Sequence, residues 1–125
     1  RFVDHCNDMP AAFMLADLVV SASTDPEAFG RIVPEAQAMG RPVIVSNHGG
    51  ARETVIEGET GWLTEPGDAG ALADAITRVL DLSEAARNQM AKRAIANVRE
   101  NFSRQSMCTK TLEVYNDVLR LKMSA

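Results

Sequence analysis

The sequence predicts an α/β fold in which a parallel sheet is flanked by helices, and two observations carry this prediction. In the first half of the chain, short aliphatic and β-branched runs alternate with helical stretches, which is typical of successive βα units. These runs are mostly continuous apolar segments, as expected of strands that a parallel sheet buries on both faces. The second half is helical throughout, so we expect its helices to close one end of the sheet.

The first half divides into short strands and helices. Asp8 is suited to cap a helix that begins at residue 9, with Pro10 in the first turn, where its missing N–H is not needed. Gly40 followed by Pro42 indicates where the second helix ends. The predicted elements, in order, are a strand end at 2–3, a helix at 9–16, a strand at 18–22, a helix at 33–39, a strand at 43–46, a short helix at 51–56 and a strand at 61–64.

Three helices are predicted in the second half, each from apolar residues at helical spacing. Asp68 and Ser83 are residue types that cap helices, and they precede the first two. The predicted apolar faces are, helix by helix, Leu72, Ile76, Val79 and Leu80; Met90, Ala91, Ala94 and Val98; and Leu112, Tyr115, Val118 and Leu119.

Composition excludes several classes of protein. The chain has 125 residues, of which 46% are hydrophobic and 24% charged, and these globular values argue against disorder, collagen and coiled coils. Its apolar runs are too short to span a bilayer, and no secretory signal pattern opens it. Cys6 and Cys108 lie far apart, without a metal-binding spacing or a disulfide framework, so we predict no metal site and a cytoplasmic location. A net charge of −4 argues against nucleic-acid binding.

Three polar loops leave the predicted strands at the edge where an open parallel sheet binds its ligands. They span 4–8, 21–31 and 46–50. The middle loop is long for a connection of this kind and is therefore a candidate for function. Pro34 places the start of a helix close to Gly30 and Arg31, so that backbone N–H groups there form an anion site suited to a diphosphate.

Two carboxylates flank this predicted anion site. Glu35, about one turn into the helix, presents two acceptor oxygens that match the two hydroxyls of a ribose. Glu27 precedes it by eight residues and is placed to hold hydroxyls at the other end of the same ligand, which is then a nucleotide-sugar. Spacing leaves a structural interpretation open for each residue: Glu35 as a partner of the helix dipole, Glu27 as a loop acid, Gly30 as a turn residue and Arg31 as a solvated charge.

Residues 27–43 resemble the E-x7-E region of retaining glycosyltransferases of the GT-B fold, and most closely the large group 1 class, family four. The stretches 49–53 and 58–63 resemble the next two motifs of that family, in order and at the expected spacing, and 66–68 is similar as well. Three ordered motifs are far more specific than one. The resemblance covers essentially the whole chain and implies a Rossmann-like parallel sheet flanked by helices, as part of a GT-B C-terminal domain.

The resemblance also implies roles for individual residues. Glu27 would contact hydroxyls of the donor sugar, and it is the residue assigned to catalysis. The sugar and diphosphate would contact the backbone around Phe29, Gly30, Arg31 and Ile32. The ribose would contact Glu35, and the nucleobase would contact the loop that contains His5. Catalysis in the family is metal-independent, needs no cofactor and retains the anomeric configuration, with stabilisation of the leaving diphosphate as its main electrostatic contribution.

By this resemblance, residues 1–125 form a single, truncated C-terminal donor-binding domain of a hexosyltransferase-type enzyme. In the family, an Arg and a Lys that neutralise the diphosphate lie upstream, as does the acceptor-binding domain, and neither has a counterpart in this sequence. We therefore expect the chain to bind a nucleotide-sugar but to be inactive alone. Two alternatives stay open: a non-catalytic nucleotide- or phosphate-binding module of GT-B type, and a GT-B sugar-nucleotide epimerase.

Two other features have structural interpretations. His48 is predicted to be a loop histidine beside a turn rather than a donor ligand. A set of cations in the second half is compatible with peripheral contact to the inner face of a membrane, but it alternates with Glu84 and Glu100, which favours a solvated face. This set comprises Arg87, Lys92, Arg93 and Arg99.

Overall fold

A computed structural model describes residues 5–123 and contains the predicted α/β architecture. The strands are β1 (Val19–Ser21), β2 (Val43–Ser46) and β3 (Gly61–Thr64). The helices are α1 (Met9–Leu15), α2 (Ile32–Ala38), α3 (Ala69–Leu80), α4 (Glu84–Asn101) and α5 (Arg104–Met123), and a 3₁₀ helix spans Gly50–Thr54. The strand end predicted at 2–3 lies outside the described residues.

The sheet has three strands in the order β1–β2–β3, and both neighbouring pairs are parallel. Val20 lies opposite Ile44, which in turn lies opposite Trp62. Because all three strands run in the same direction, their carboxyl ends meet at one edge of the sheet. The predicted parallel sheet flanked by helices is confirmed.

Side chains cap three helices where the sequence predicts that helices begin. Oδ1 of Asp8 accepts a hydrogen bond from the amide of Ala11 at 3.0 Å, and Oδ1 of Asp68 accepts one from the amide of Ala71 at 2.8 Å. Ser83 caps α4 in the same way, at 3.3 Å. Each bond satisfies a backbone donor that the first turn of a helix leaves without a partner.

Hydrophobic cores lie on both faces of the sheet. Val43 and Val45 pack with α1 and α2, whereas Ile44 points to the opposite face, where α3 and α4 pack over Trp62. Successive side chains of a strand alternate between faces, and all three of these β2 residues are only 1% exposed. Burial on both faces is the reason that the strand sequences are apolar runs.

Three predicted boundaries or faces need correction. The helix expected at 51–56 is a 3₁₀ helix at Gly50–Thr54, and it ends because Val55 adopts an extended backbone conformation. The strand expected at 18–22 is limited to β1. Leu80, assigned to the apolar face of α3, is 50% exposed because it is the last residue of the helix, whereas Val79 before it is fully buried.

Helix α5 presents its predicted apolar face to solvent. Leu112, Tyr115, Val118 and Leu119 are between 48% and 62% exposed. The periodicity correctly places these residues on one helix, but no element within residues 5–123 covers them. Across the same residues, none of the helices has both the length and the apolar content that a membrane crossing requires.

Candidate functional site

The loops that follow β1 and β2 meet at the carboxyl edge of the sheet, where the sequence places the ligand. The amide of Gly50 donates a hydrogen bond of 3.0 Å to the carbonyl oxygen of Glu27. A ring nitrogen of His48, Nε2, lies 2.8 Å from the carbonyl oxygen of Ser23. These two bonds tie the second loop to the first at Ser23 and at Glu27 itself.

The carboxylate of Glu27 is half-buried and oriented by its own loop. Its Oε1 accepts a hydrogen bond of 3.2 Å from the hydroxyl of Ser23. Its other oxygen, Oε2, lies over Gly30, only 3.0 Å from the position that a Cβ on Gly30 would occupy. Oε2 has no hydrogen-bond partner among the described residues, so one acceptor oxygen remains available to a hydroxyl group of a ligand.

Two glycines allow the loops to lie in backbone contact. Gly49 has a φ of 58°, and a Cβ there would lie 2.5 Å from the carbonyl oxygen of Glu27. A Cβ on Gly50 would overlap the carbonyl group of Ala28. The Gly-Gly pair, visible in the sequence as part of a motif, therefore has a physical function: it brings the second loop against the backbone that carries Glu27.

His48 holds this arrangement together. A carbonyl oxygen only accepts, so Nε2 of His48 is the donor in its bond to Ser23, and the neutral ring then has Nδ1 as an acceptor. Nδ1 is buried and has no partner within residues 5–123. His48 therefore contacts the backbone of the first loop, and the sequence carried no signal that Ser23 is its partner.

Arg31 and Glu35 are paired with each other. Their side chains form an ion pair of 2.8 Å at the start of α2, and the Arg31 side chain is 83% exposed. Both residues line a cleft of about 420 Å³ between α1 and α2, whose floor includes Phe13. The sequence assigned them to different parts of a ligand, but their i, i+4 spacing on one helical turn also favours this mutual contact.

The remaining predicted site residues differ in how far they are buried and in what they contact. Phe29 is 44% exposed and packs against Phe102 at the end of α4, with ring centroids 6.0 Å apart. Ile32 packs partly against the core beneath α2. His5 is exposed and bonds within its own loop, where Nε2 lies 2.8 Å from Oδ1 of Asn7.

The structure therefore arranges the predicted residues in two groups. Glu27 and Gly30 lie together at the loop junction, and Arg31 and Glu35 lie together on α2. No hydrogen bond or ion pair among residues 5–123 joins Glu27 to either member of the second group. Within the same residues there is also no cluster of three or more His, Cys, Asp or Glu side chains that could hold a metal ion.

Residues 1–97 match the protein family described as Glycosyl transferases group 1. The chain belongs to this family. It is 38% identical over 117 residues to glycogen synthase from Mycobacterium tuberculosis, and the alignment covers 92% of this chain and 28% of the relative. It is also similar to Anabaena HepE, solved in complex with UDP-glucose, with 32% identity and a TM-score of 0.84 over 94% of this chain and 32% of HepE.

A further solved structure is a C-terminal domain of a group 1 family protein from Francisella tularensis. It is 27% identical, with a TM-score of 0.71, and the match covers 83% of this chain and 52% of that domain structure. The resemblance inferred from residues 27–68 is therefore confirmed, as is the architecture of a GT-B C-terminal domain. The chain spans less than a third of the length of the glycogen synthase and of HepE.

Proposed function

We propose that this chain binds the nucleotide-sugar donor of a retaining hexosyl transfer reaction at the carboxyl edge of its sheet. The observation that carries the proposal is the placement of Glu27, a half-buried carboxylate with one uncommitted oxygen, at the junction of two loops. Family membership and the similarity to HepE, whose structure contains UDP-glucose, support the ligand class.

In this proposal Glu27 is the catalytic residue because it contacts the sugar that is transferred. Its Oε2 accepts hydrogen bonds from sugar hydroxyls, while Ser23 holds Oε1. The bond between the anomeric carbon and the diphosphate oxygen breaks, and the acceptor oxygen bonds to the same face of that carbon. The nucleoside diphosphate leaves with the electron pair of the broken bond, and its departing oxygen takes the proton of the acceptor hydroxyl. A carboxylate fixed before the reaction orients the sugar without further reorganisation.

The diphosphate and nucleoside occupy the start of α2. Gly30 is buried and has no side chain to obstruct the approach of phosphate to the backbone from residue 29 to residue 32. Arg31 and Glu35 are exposed enough that opening their ion pair costs at most about 1 kcal/mol. Glu35 then accepts from the ribose hydroxyls, and Arg31 turns towards the diphosphate. The loop at His5 faces the nucleobase.

The whole enzyme requires more than the described residues. The chain spans 28% of the glycogen synthase and 32% of HepE, and helix α5 exposes a continuous apolar face. We propose that an acceptor-binding domain completes the enzyme and that α5 packs against it, because large exposed apolar patches mark interaction surfaces. On this basis the chain by itself binds the donor and transfers no sugar.

We also propose a cytoplasmic location for the protein. Cys6 and Cys108 are both free thiols, and Cys108 is exposed. Exposed thiols are typical of a reducing compartment.

Amide chemical shifts of the ¹⁵N-labelled chain, titrated with UDP-, GDP- and ADP-glucose, test the donor site. We expect saturable shifts at Glu27, Gly30 and Gly50 with at least one of the three nucleotides. Glu27→Gln should weaken this binding about ten-fold, because an amide replaces the charged acceptor. Asp25→Asn is the matched control, because Asp25 is an exposed acid of the same loop.

Two results would contradict the proposal. One is a folded chain whose loop amides do not respond to any of the three nucleotides. The other is equal affinity in the wild type, Glu27→Gln and Asp25→Asn, which would remove Glu27 from the site. A loss with Glu35→Ala for all three nucleotides, together with unchanged affinity for the free hexose, would support the assignment of Glu35 to the ribose.

A further inference from the structure

A second recess lies at the carboxyl edge of the sheet, on the face that α3 covers. The strand register continues from Val20, Ile44 and Trp62 to the next residues on the same face, which are Ala22, Ser46 and Thr64. These three small side chains and the first turn of α3 enclose about 150 Å³. The sequence therefore changes from large apolar residues to small ones where this face reaches the ligand edge.

Two hydroxyl groups that line this recess have no hydrogen-bond partner within residues 5–123. Ser46 is 4% exposed and Thr64 is 8% exposed, yet neither hydroxyl has a hydrogen-bond partner among residues 5–123. Other buried threonines are bonded: the hydroxyl of Thr54 donates to Ala51, and that of Thr60 accepts from Gln37. Neither hydroxyl oxygen is sealed from solvent, so both reach the recess and are free to bond to a polar ligand there.

The acidic side chains around the recess indicate which class of ligand it can bind. Glu65 and Asp68 line it, and its lining contains no Lys, Arg or His. Each carboxylate is held in place: Oε1 of Glu65 accepts from Asn47 at 3.0 Å, and Oδ1 of Asp68 caps α3. The second oxygen of each is available to a ligand. Carboxylates repel phosphate, whereas hydroxyls and carboxylates together suit vicinal hydroxyl groups, which both donate and accept.

We propose that this recess binds the hydroxyl groups of a neutral monosaccharide, with Ser46 and Thr64 at its floor and Glu65 and Asp68 at its rim. Gly67 leaves the rim open, because nothing lies within 4 Å of the position that its Cβ would take. The volume admits one face of a sugar ring and excludes a whole nucleotide-sugar.

The recess adjoins the Glu27 site, but neither Glu27 nor Ser23 lines it. Ala22 lines the recess, and the next residue, Ser23, holds the carboxylate of Glu27. Asn47 bonds to Glu65 at the recess, and its neighbour His48 bonds to Ser23. A sugar in the recess therefore lies beside the transferred sugar, as an acceptor unit does. Binding in the recess is independent of donor binding, whereas its role as an acceptor subsite rests on the proposed function.

Amide shifts of the labelled chain, titrated with methyl α-D-glucopyranoside, test this inference. We expect saturable shifts at Ser46, Thr64 and Gly67 without UDP-glucose present. Thr64→Val keeps the shape of the side chain and removes only the hydroxyl, so it should weaken binding roughly five- to ten-fold. Thr77→Val, on the outer surface of α3, is the matched control and should bind as the wild type does.

A second variant keeps the test decisive if Thr64→Val disturbs the fold. Ser46→Ala removes the other unpaired hydroxyl and should weaken binding to a similar extent. The proposal is overturned if the recess amides do not respond to the glycoside, which would mean that the recess holds only water. It is also overturned if both variants bind as the wild type does, or if Mg²⁺ shifts these amides and the glycoside does not. If UDP-glucose does not bind but the glycoside does, the result contradicts the proposed donor site and supports the proposed monosaccharide site in the recess.

Discussion

The backbone amide of Gly50 donates a hydrogen bond of 3.0 Å to the carbonyl oxygen of Glu27, and this bond joins the loops that follow β1 and β2. The contact is between main-chain atoms, so the position of the Glu27 carboxylate depends on how closely two backbones approach. Gly49 and Gly50 permit that approach, because a side chain at either position would overlap the first loop.

Gly49→Ala is expected to be more damaging than Gly58→Ala, although both glycines have positive φ. An alanine is strained by about 1 kcal/mol in either conformation. At Gly58 a Cβ meets nothing within 4 Å, whereas at Gly49 it lies 2.5 Å from the carbonyl oxygen of Glu27. We therefore expect Gly49→Ala to lower the free energy of unfolding by about 1 to 3 kcal/mol more than Gly58→Ala, as measured by urea denaturation.

Donor affinity provides a second comparison of the same pair. Gly49→Ala displaces the backbone that carries Glu27 and should reduce the affinity for the nucleotide-sugar, whereas Gly58→Ala should not. If the two variants lose equal stability and bind the donor with equal affinity, then neither stability nor donor binding depends on the close contact between the two loops.

His48→Ala is expected to loosen the loop junction without unfolding the domain. The bond between His48 and Ser23 contributes about 1 kcal/mol, so its loss should raise the hydrogen-exchange rate of the Gly50 amide about five-fold. His5→Ala is the control, because His5 bonds only to Asn7 among the described residues. Unchanged protection of Gly50 in His48→Ala would show that His48 does not hold the two loops together.

Much of the fold is predictable because its signals are local. The strands at Val43–Ser46 and Gly61–Thr64 have the predicted bounds, since each is a short run between turn residues. The caps at Asp8 and Asp68 follow from residue type and position. Motif spacing also places Glu27 at the ligand edge, because the carboxyl ends of parallel strands meet there.

What the sequence did not predict depends on contacts between distant segments. Ser23 is one polar residue in a long loop, and only the folded structure brings it to both Glu27 and His48. The apolar face of α5 illustrates a different limit: periodicity identifies which residues share a face, but not what covers it. Periodicity assigns Leu80 to the apolar face of α3, but it carries no information on whether the last residue of a helix is covered.

Arg31→Ala is expected to leave stability unchanged while weakening donor binding. The ion pair with Glu35 is exposed, so its loss should change the free energy of unfolding by no more than about 0.5 kcal/mol. If Arg31 turns towards the diphosphate in the complex, the variant should bind UDP-glucose about ten-fold more weakly at low ionic strength. The difference should shrink as salt is added, because exposed charges are screened.

Arg52→Ala is the matched control for this measurement, because Arg52 is also an exposed arginine near the loop junction. It should bind the donor with unchanged affinity. Tighter binding by Arg31→Ala would instead show that Arg31 only competes with the ribose for Glu35.

Two buried threonines should lose very different amounts of stability on the same substitution. The hydroxyl of Thr60 accepts hydrogen bonds from Nε2 of Gln37 at 3.2 Å and from the amide of Ile56 at 2.9 Å. Thr60→Val leaves both donors unpaired, so we expect the free energy of unfolding to fall by about 2 to 4 kcal/mol. Thr64→Val removes a hydroxyl without a partner among residues 5–123 and should cost less than about 0.5 kcal/mol.

The fluorescence of Trp62, the only tryptophan in the sequence, reports unfolding in urea for both variants because the ring is buried in the α3 face of the core. Adding Gln37→Leu to Thr60→Val should recover part of the loss, since the unpaired amide of Gln37 is then removed as well. A large loss in Thr64→Val would mean that its hydroxyl has a structural partner and is not available to a ligand. Thr64 thus connects the two measurements: the hydroxyl that contributes nothing to folding is the one expected to contribute to sugar binding.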